Sequence, residues 1–325
     1  MKSRTRIIPT VAVLVVLALA PLFLDSYSLD VLTGGLIYGL MAMGLAVLVG
    51  QAGLPSLGHA AFLGVGGYAA GLLAVHVTAN PLAGLLAAAL VGAVLSVLLG
   101  VISMRAQGIY FLMVSLAVAE LIHAITMTTD FTGGDNGLSG IPTPEIPALD
   151  ALGLPHVVSV YWYVLVVAVV VLILVQLLVA APLGRAITGS ADNADRMRAL
   201  GYNIATVRVS ALVISGVAVA VGGALLTQKD VFIAPTALAP DTSILLLVMV
   251  LVGGARSLVG PLIAGIGLVV IRSYTSSTIG DYWVRALGAI FVLTVYFLPN
   301  GLAGLLSRRR AAPEPSTSEE AVRVG

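Results

Sequence analysis

The sequence predicts an all-α membrane protein, a polytopic bundle of about ten transmembrane helices with some helices discontinuous. Three observations predict it. Of the 325 residues, 59% are hydrophobic and only 10% charged, whereas a soluble domain carries about 25% charged residues, so lipid must solvate the excess. Apolar runs approaching the roughly 20 residues that cross a bilayer recur along almost the whole chain. The basic residues fall on alternate connections between those runs.

Ten candidate spans follow in order: 7–24, 31–49, 57–77, 82–103, 108–128, 160–181, 208–228, 242–255, 257–272 and 282–300. Each must be helical, because stray backbone N–H and C=O groups find no water in hydrocarbon, and a barrel is excluded by the absence of period-two alternation. With the N-terminus on the cytoplasmic side, 13 of the 16 basic residues fall inside, from Lys2, Arg4 and Arg6 to Arg308, Arg309, Arg310 and Arg323. Only Lys229, Arg272 and Arg285 lie outside. Both termini are therefore expected in the cytoplasm. The first span reads as an uncleaved anchor rather than a secretory signal, since Pro21 directly follows Ala18-Leu19-Ala20 and the apolar run continues through Phe23 and Leu24.

Residues 1–307 read as one membrane domain, with an acidic external loop at 129–160 and a tail at 308–325, rich in Arg, Pro, Ser and Glu, that reads as disordered. Segments 242–255 and 257–272 are short for ordinary spans, and 51–67 is interrupted by Gly53, Pro55, Gly58, Gly64, Gly66 and Gly67. Broken helices are tolerated only beside protein or a wet cavity, so these segments point to a transport path. A faint echo links Val47–Ala52 to Val250–Ala255, as a parallel duplication would leave it.

Several chemistries are absent or poorly supported. The net charge of +1 offers no field for nucleic acid, and without cysteine there is neither a disulfide nor a thiolate site. The two lysines follow Met1 and Gln228, so no glycine-rich phosphate loop ends in lysine and any ATP hydrolysis belongs to another subunit. Gly64-Val65-Gly66-Gly67-Tyr68-Ala69 matches a dinucleotide fingerprint only formally, since it sits in an apolar helix with no strand before it. Its glycines, with Gly71, Gly35 and Gly39, read as close-packing positions between helices. Asp135-Asn136-Gly137 reads as a turn rather than a calcium loop. His59, His76, His123 and His156 are not paired at metal-ligand spacing, and no G-x-S-x-G elbow occurs; no catalytic residue, metal or cofactor is expected.

Two constellations remain. Residues 182–207 form the longest polar stretch on the cytoplasmic side. Within it Asp192 is placed to cap a short helix, Ala194, Met197 and Leu200 form an apolar stripe, and Gly201 supplies a left-handed stop. Such a helix is either a solvated loop helix or a docking element for a soluble partner. Glu120 and His123 lie one turn apart in the fifth span, where an ionisable group is costly unless paired or wetted, so they are expected to face the bundle interior.

Gly50-Gln51-Ala52-Gly53-Leu54 with Ser56-Leu57-Gly58-His59-Ala60-Ala61-Phe62, then Gly108-Ile109-Tyr110-Phe111 on to Glu120, begin a set of motifs. The loop Gly133 to Pro142, Gly184-Arg185-Ala186 with Ala199-Leu200-Gly201-Tyr202-Asn203, and Gly253-Gly254 with Gly260-Pro261 complete it. Through these, about residues 30 to 302 resemble branched-chain amino-acid ABC transporter permeases of the LivM type. The resemblance implies a type II ABC importer-like half working by alternating access. Its implied partners are a LivH-like second permease, two cytoplasmic ATPase subunits and an external amino-acid-binding protein, in a bacterial cell membrane. It makes 182–203 the ATPase-coupling loop, with Gly184, Arg185, Asp192, Asn193, Met197, Arg198, Leu200 and Gly201 as its candidate residues. Gln51, Ser56, Gly58, His59, Glu120, His123, Gly253 and Gly254 are candidates for the path. The chain departs from the usual family pattern at Gly189-Ser190, where a charged helical segment is common. The rival functions are a urea or short-amide permease of the same pattern, a proton-coupled carrier using Glu120 and His123, and a passive channel.

Overall fold

The computed structural model describes residues 15–103, 106, 108–144, 153 and 155–279, with residues 288, 289, 292, 296, 301 and 304. Its helices are α1 (Ser26–Ala46), which runs on into a π-helical turn (Val47–Gln51), α2 (His59–His76), α3 (Pro81–Ile102), α4 (Ile109–Thr128), α5 (His156–Ala180), α6 (Pro182–Asp192), α7 (Ala194–Ala199), α8 (Ile204–Asp230), α9 (Pro240–Gly253) and α10 (Val259–Ile279). No strand occurs among the described residues, only an isolated antiparallel bridge between Leu138 and Ile233. Six runs are long and apolar enough to span a membrane: α1 with its π turn, α2, α3, α4, α5 and α8. The chain is an integral membrane protein.

The ten expected spans thus appear, among the described residues, as six full-length ones and two shorter apolar helices, Pro240–Gly253 and Val259–Thr275. Of the expected span 7–24, residues 15–22 are helical, ending in a 3-10 turn (Ala20–Leu22), and residues 7–14 lie outside the described residues; the expected span 282–300 falls largely outside them, and the tail 308–325 wholly so. Segment 257–272 was cut short by hydropathy. The helix continues to Ile279 through polar residues, and a hydrogen bond between the hydroxyls of Tyr274 and Ser28 (2.7 Å) ties its end to α1.

Polar caps start the helices where the sequence breaks. The Asn80 side chain accepts from the Leu82 N–H (2.9 Å) with Pro81 in the first turn of α3, and Asn203 accepts from Ala205 (3.0 Å) and Thr206 (3.3 Å) at α8. Helix α8 is central, packed against α1, α2 and α3. Its contact with α2 is backbone on backbone: a Cβ on Gly66 would overlap the Ala220 main chain, and one on Gly223 the Leu63 main chain. Gly35 and Gly39 likewise let α1 touch α10 at Ile266 and Leu262. In lipid, where association rests on close packing, these contacts hold the bundle together.

The helix directions sort the charges. One end gathers Arg185, Arg196, Arg198, Arg208 and Arg256 on α6, α7, the start of α8 and the α9–α10 turn. The opposite end gathers Asp25, Asp30, Asp130, Asp135 and Asp230. There the largely buried Lys229 (12% exposed) lies 3.0 Å from both Asp30 and Asp230.

Candidate coupling module and translocation path

At the basic end, α5 and α6 meet at a sharp corner. Ala181 is extended, Pro182 opens α6, and Gly184 lies against the Val179 backbone so closely that a Cβ there would overlap it. Helix α6 buries Gly184, Ala186, Ile187 and Ser190 and exposes Arg185 and Asp192, the helical period of an amphipathic surface helix. It runs unbroken through Gly189-Ser190. The glycine has a local reason: the Met197 sulfur sits 2.9 Å from where a Cβ on Gly189 would stand.

The cap of α7 differs from expectation. Asp192 is the last residue of α6, and it is Asn193 whose side chain accepts from the Arg196 N–H (2.9 Å), because Asn193 is the extended residue between the two helices. Gly201 provides the expected stop at φ +88°, with Tyr202 N–H donating to the Met197 carbonyl (3.1 Å) and Gly201 N–H to Arg198 (3.0 Å). The apolar stripe is divided: Met197 turns back onto α6, while Leu200 is 67% exposed. Arg198 pairs with Asp195 on the same exposed turn.

The break after α1 occupies residues 52–58. At its start, Gln51 Nε2 donates to the Arg256 carbonyl (3.2 Å) and Oε1 accepts from the Thr188 hydroxyl (3.3 Å). Gly50 rests on the Ala255 backbone, so the two echoed motifs are packed against each other. At its far end, Ser56 and His59 are fully buried; His59 Nδ1 meets Ser56 Oγ (3.1 Å) and Nε2 meets Ser215 Oγ (2.8 Å). Ser215 is roughly 16 Å along α8 from its start at the basic end, so the break climbs deep into the bundle. Gly58 lies against the Ser115 main chain, where a Cβ would stand 2.7 Å from the carbonyl oxygen, and the Leu57 N–H reaches Ser115 Oγ (3.2 Å).

A second break enters from the acidic end. Residues 231–239 are held by the Leu138–Ile233 bridge, and Leu238 fills the space beside Gly64. Helix α9 therefore begins inside the bundle, where Ser243 Oγ accepts from the Ala60 N–H (2.9 Å). The N-terminal turns of α2 and α9 meet at depth. Gly253 and Gly254 close the other end of α9 in a backbone-tight turn, with Gly254 at φ +96° and the Pro261 and Gly260 main chains where a Gly253 side chain would go.

Glu120 and His123 do not face inward together. The buried face of α4 is Phe111, Ser115, Ala119 and Thr126, and Glu120, about 100° further round, is 47% exposed; His123, 18% exposed, lies 3.7 Å from it. Ser115, Thr188, Ser215 and Ser243 escaped the sequence reading. Each lies in a helix, where serine and threonine commonly satisfy themselves on the preceding turn, as Thr188 also does on Gly184 (3.1 Å).

A bundle of membrane-spanning helices with two breaks meeting at depth and a two-helix module outside its core defines a polytopic transport protein. Residues 27–296 match the family model described as "Branched-chain amino acid transport system / permease component". The chain is 30% identical over 318 residues to the high-affinity branched-chain amino acid transport system permease protein LivM of Escherichia coli, covering 90% of this chain and 73% of that protein. It is 29% identical to the protein of the same name from Salmonella typhimurium, with the same coverage. Against a probable branched-chain amino acid transport permease of Methanocaldococcus jannaschii the identity is 24%, over 86% of this chain and 93% of that one. No solved structure matches. The chain belongs to this permease family; it is a transport component and not an enzyme.

Proposed function

We propose that this chain is the membrane subunit of an ATP-driven importer for branched-chain amino acids, working by alternating access as one half of a type II-like assembly. The carrying observation is the α6–α7 module, two helices joined at the extended Asn193, seated on the bundle and presenting Leu200, Arg185 and Arg198 outward at the arginine-rich end. The arginine-rich end supports a cytoplasmic position for that face, and by the same rule for both termini, in a bacterial inner membrane, where separate ATPase subunits would dock. The chain has no phosphate loop of its own, so ATP is spent by those partners and the permease holds no cofactor. An external binding protein would deliver the amino acid at the acidic end. A second, LivH-like permease would cover the exposed face of α4, since a half-exposed Glu120 at membrane depth is unfavourable against lipid. Movement of the breaks at 52–58 and 231–239 would then change which side the path opens to.

Reconstitution in vesicles tests this reading. Labelled leucine uptake should require ATP and the partner subunits, resist a protonophore, and exceed urea uptake. Accumulation by the chain alone would overturn it. The exposed Glu120–His123 pair favours one rival, a proton-coupled carrier, which predicts uptake that collapses with the protonophore and survives loss of the ATPases. Leu200→Asp should abolish recovery of ATPase subunits and uptake while leaving membrane insertion intact, and normal recovery would remove the docking assignment. Met197→Asp is the less clean variant, because Met197 also packs on α6.

A further inference from the structure

We infer that Gln51 is the positioning residue that passes movement of the α6–α7 module into the broken segment 52–58 and the α9–α10 turn. This rests on the proposal that α6–α7 receives the motor subunits. One side-chain amide joins three pieces distant in sequence: its own π turn, Thr188 on α6 137 residues away, and Arg256 in the α9–α10 turn 205 residues away.

The surrounding backbone is built to keep that amide in place. Gly50 is flush against the Ala255 carbonyl, and Gly53, in the left-handed region at φ +67°, brings the chain against Ala191 of α6. Leu54 N–H then returns to the Leu48 carbonyl (3.1 Å), and eight residues beyond Gln51 the chain is pinned at depth by His59 on Ser215. A displacement of α6 therefore reaches Thr188, Gln51 and the buried end of the break through one short stretch of chain. Bond strength supports a changing contact over a structural tie. The two Gln51 bonds are long, 3.3 and 3.2 Å, and incompletely buried, and the Thr188 hydroxyl is shared with the Gly184 carbonyl. Neutral bonds of this kind contribute about 1 kcal/mol or less, enough to bias two states of a cycle and too little to hold the fold. The π turn is in keeping, since such turns mark functional irregularities in helices.

The test uses the complete assembly in proteoliposomes and reads leucine imported per ATP hydrolysed. Gln51→Glu keeps the acceptor for Thr188 and loses the donor to Arg256. Thr188→Val does the reverse, and Thr188→Ser restores the hydroxyl. Gln51→Glu and Thr188→Val should each lower the ratio roughly fivefold, one hydrogen bond's worth of state preference, with the ATPase subunits still bound and hydrolysing; Thr188→Ser should return it to the wild-type value. An unchanged ratio in both variants, or uptake and hydrolysis falling in step, overturns the relay. Failure of the docking reading is separately visible: ATPase recovery would then be normal in Leu200→Asp, whatever the Gln51 variants do.

Discussion

Helices α1 and α8 on one side and α3 and α5 on the other show how a bundle in lipid inverts the rule of soluble cores. The most hydrophobic spans are α5 and α3, yet only 33% and 28% of their apolar windows are buried, whereas the less hydrophobic α1 and α8 are 83% and 67% buried. Lipid is as apolar as leucine, so burial gains nothing from hydrophobicity itself; α1 and α8 are held inside by close contacts on several faces, at Gly35, Gly39 and Gly44 of α1 and Gly216, Gly222 and Gly223 of α8. Helix α4 breaks the trend. It is less hydrophobic than α3 and only 22% buried, and its outer face carries Glu120, which suits contact with protein or water rather than acyl chains.

The largest effect should come from filling an interior contact. Gly223→Leu drives a side chain into the Leu63 backbone and should destabilise the detergent-solubilised protein by more than about 4 kcal/mol, seen as loss of a cooperative melt. Val97→Leu, on the exposed face of α3, should shift stability by less than about 0.5 kcal/mol. Similar melting in the two variants would erase the contrast between core and periphery. Next, His59→Ala strands the hydroxyl of Ser215, leaves Ser56 only its Gly58 N–H, and opens a cavity, at a cost of about 3 kcal/mol. A loss under roughly 1 kcal/mol would mean that the buried end of the break is already hydrated. Smallest of the three, Asn193→Ala removes an exposed cap worth about 1 kcal/mol and should loosen α7 without moving the melt of the bundle, as hydrogen exchange confined to 194–202 would show.

Much of this organisation was legible in the residues. Apolar run length placed α2, α3 and α4 to within two residues at each end, because the hydrocarbon thickness dictates it. Gly201 announced the end of α7, and Gly35 and Gly39 announced a close crossing. The capping role went to Asn193 rather than Asp192 because α6 runs one residue further than the polar pattern shows, and either side chain has the chemistry to cap. Glu120 was assigned inward by cost alone. Helical phase overrules that, since Ala119 is buried and the next residue is about 100° away.

By itself the sequence determined what the bilayer enforces: helical spans, their lengths, and the sorting of arginine to one end. Hydropathy responds to transfer into any apolar medium, so it cannot tell lipid from protein. Only the tertiary structure decided which helices lie inside, that the two breaks meet where Ser243 holds the start of α2, and that Gln51 joins α6 to the α9–α10 turn. Those are contacts between residues far apart in the chain. Close packing and hydrogen-bond geometry select them, and no local periodicity encodes either.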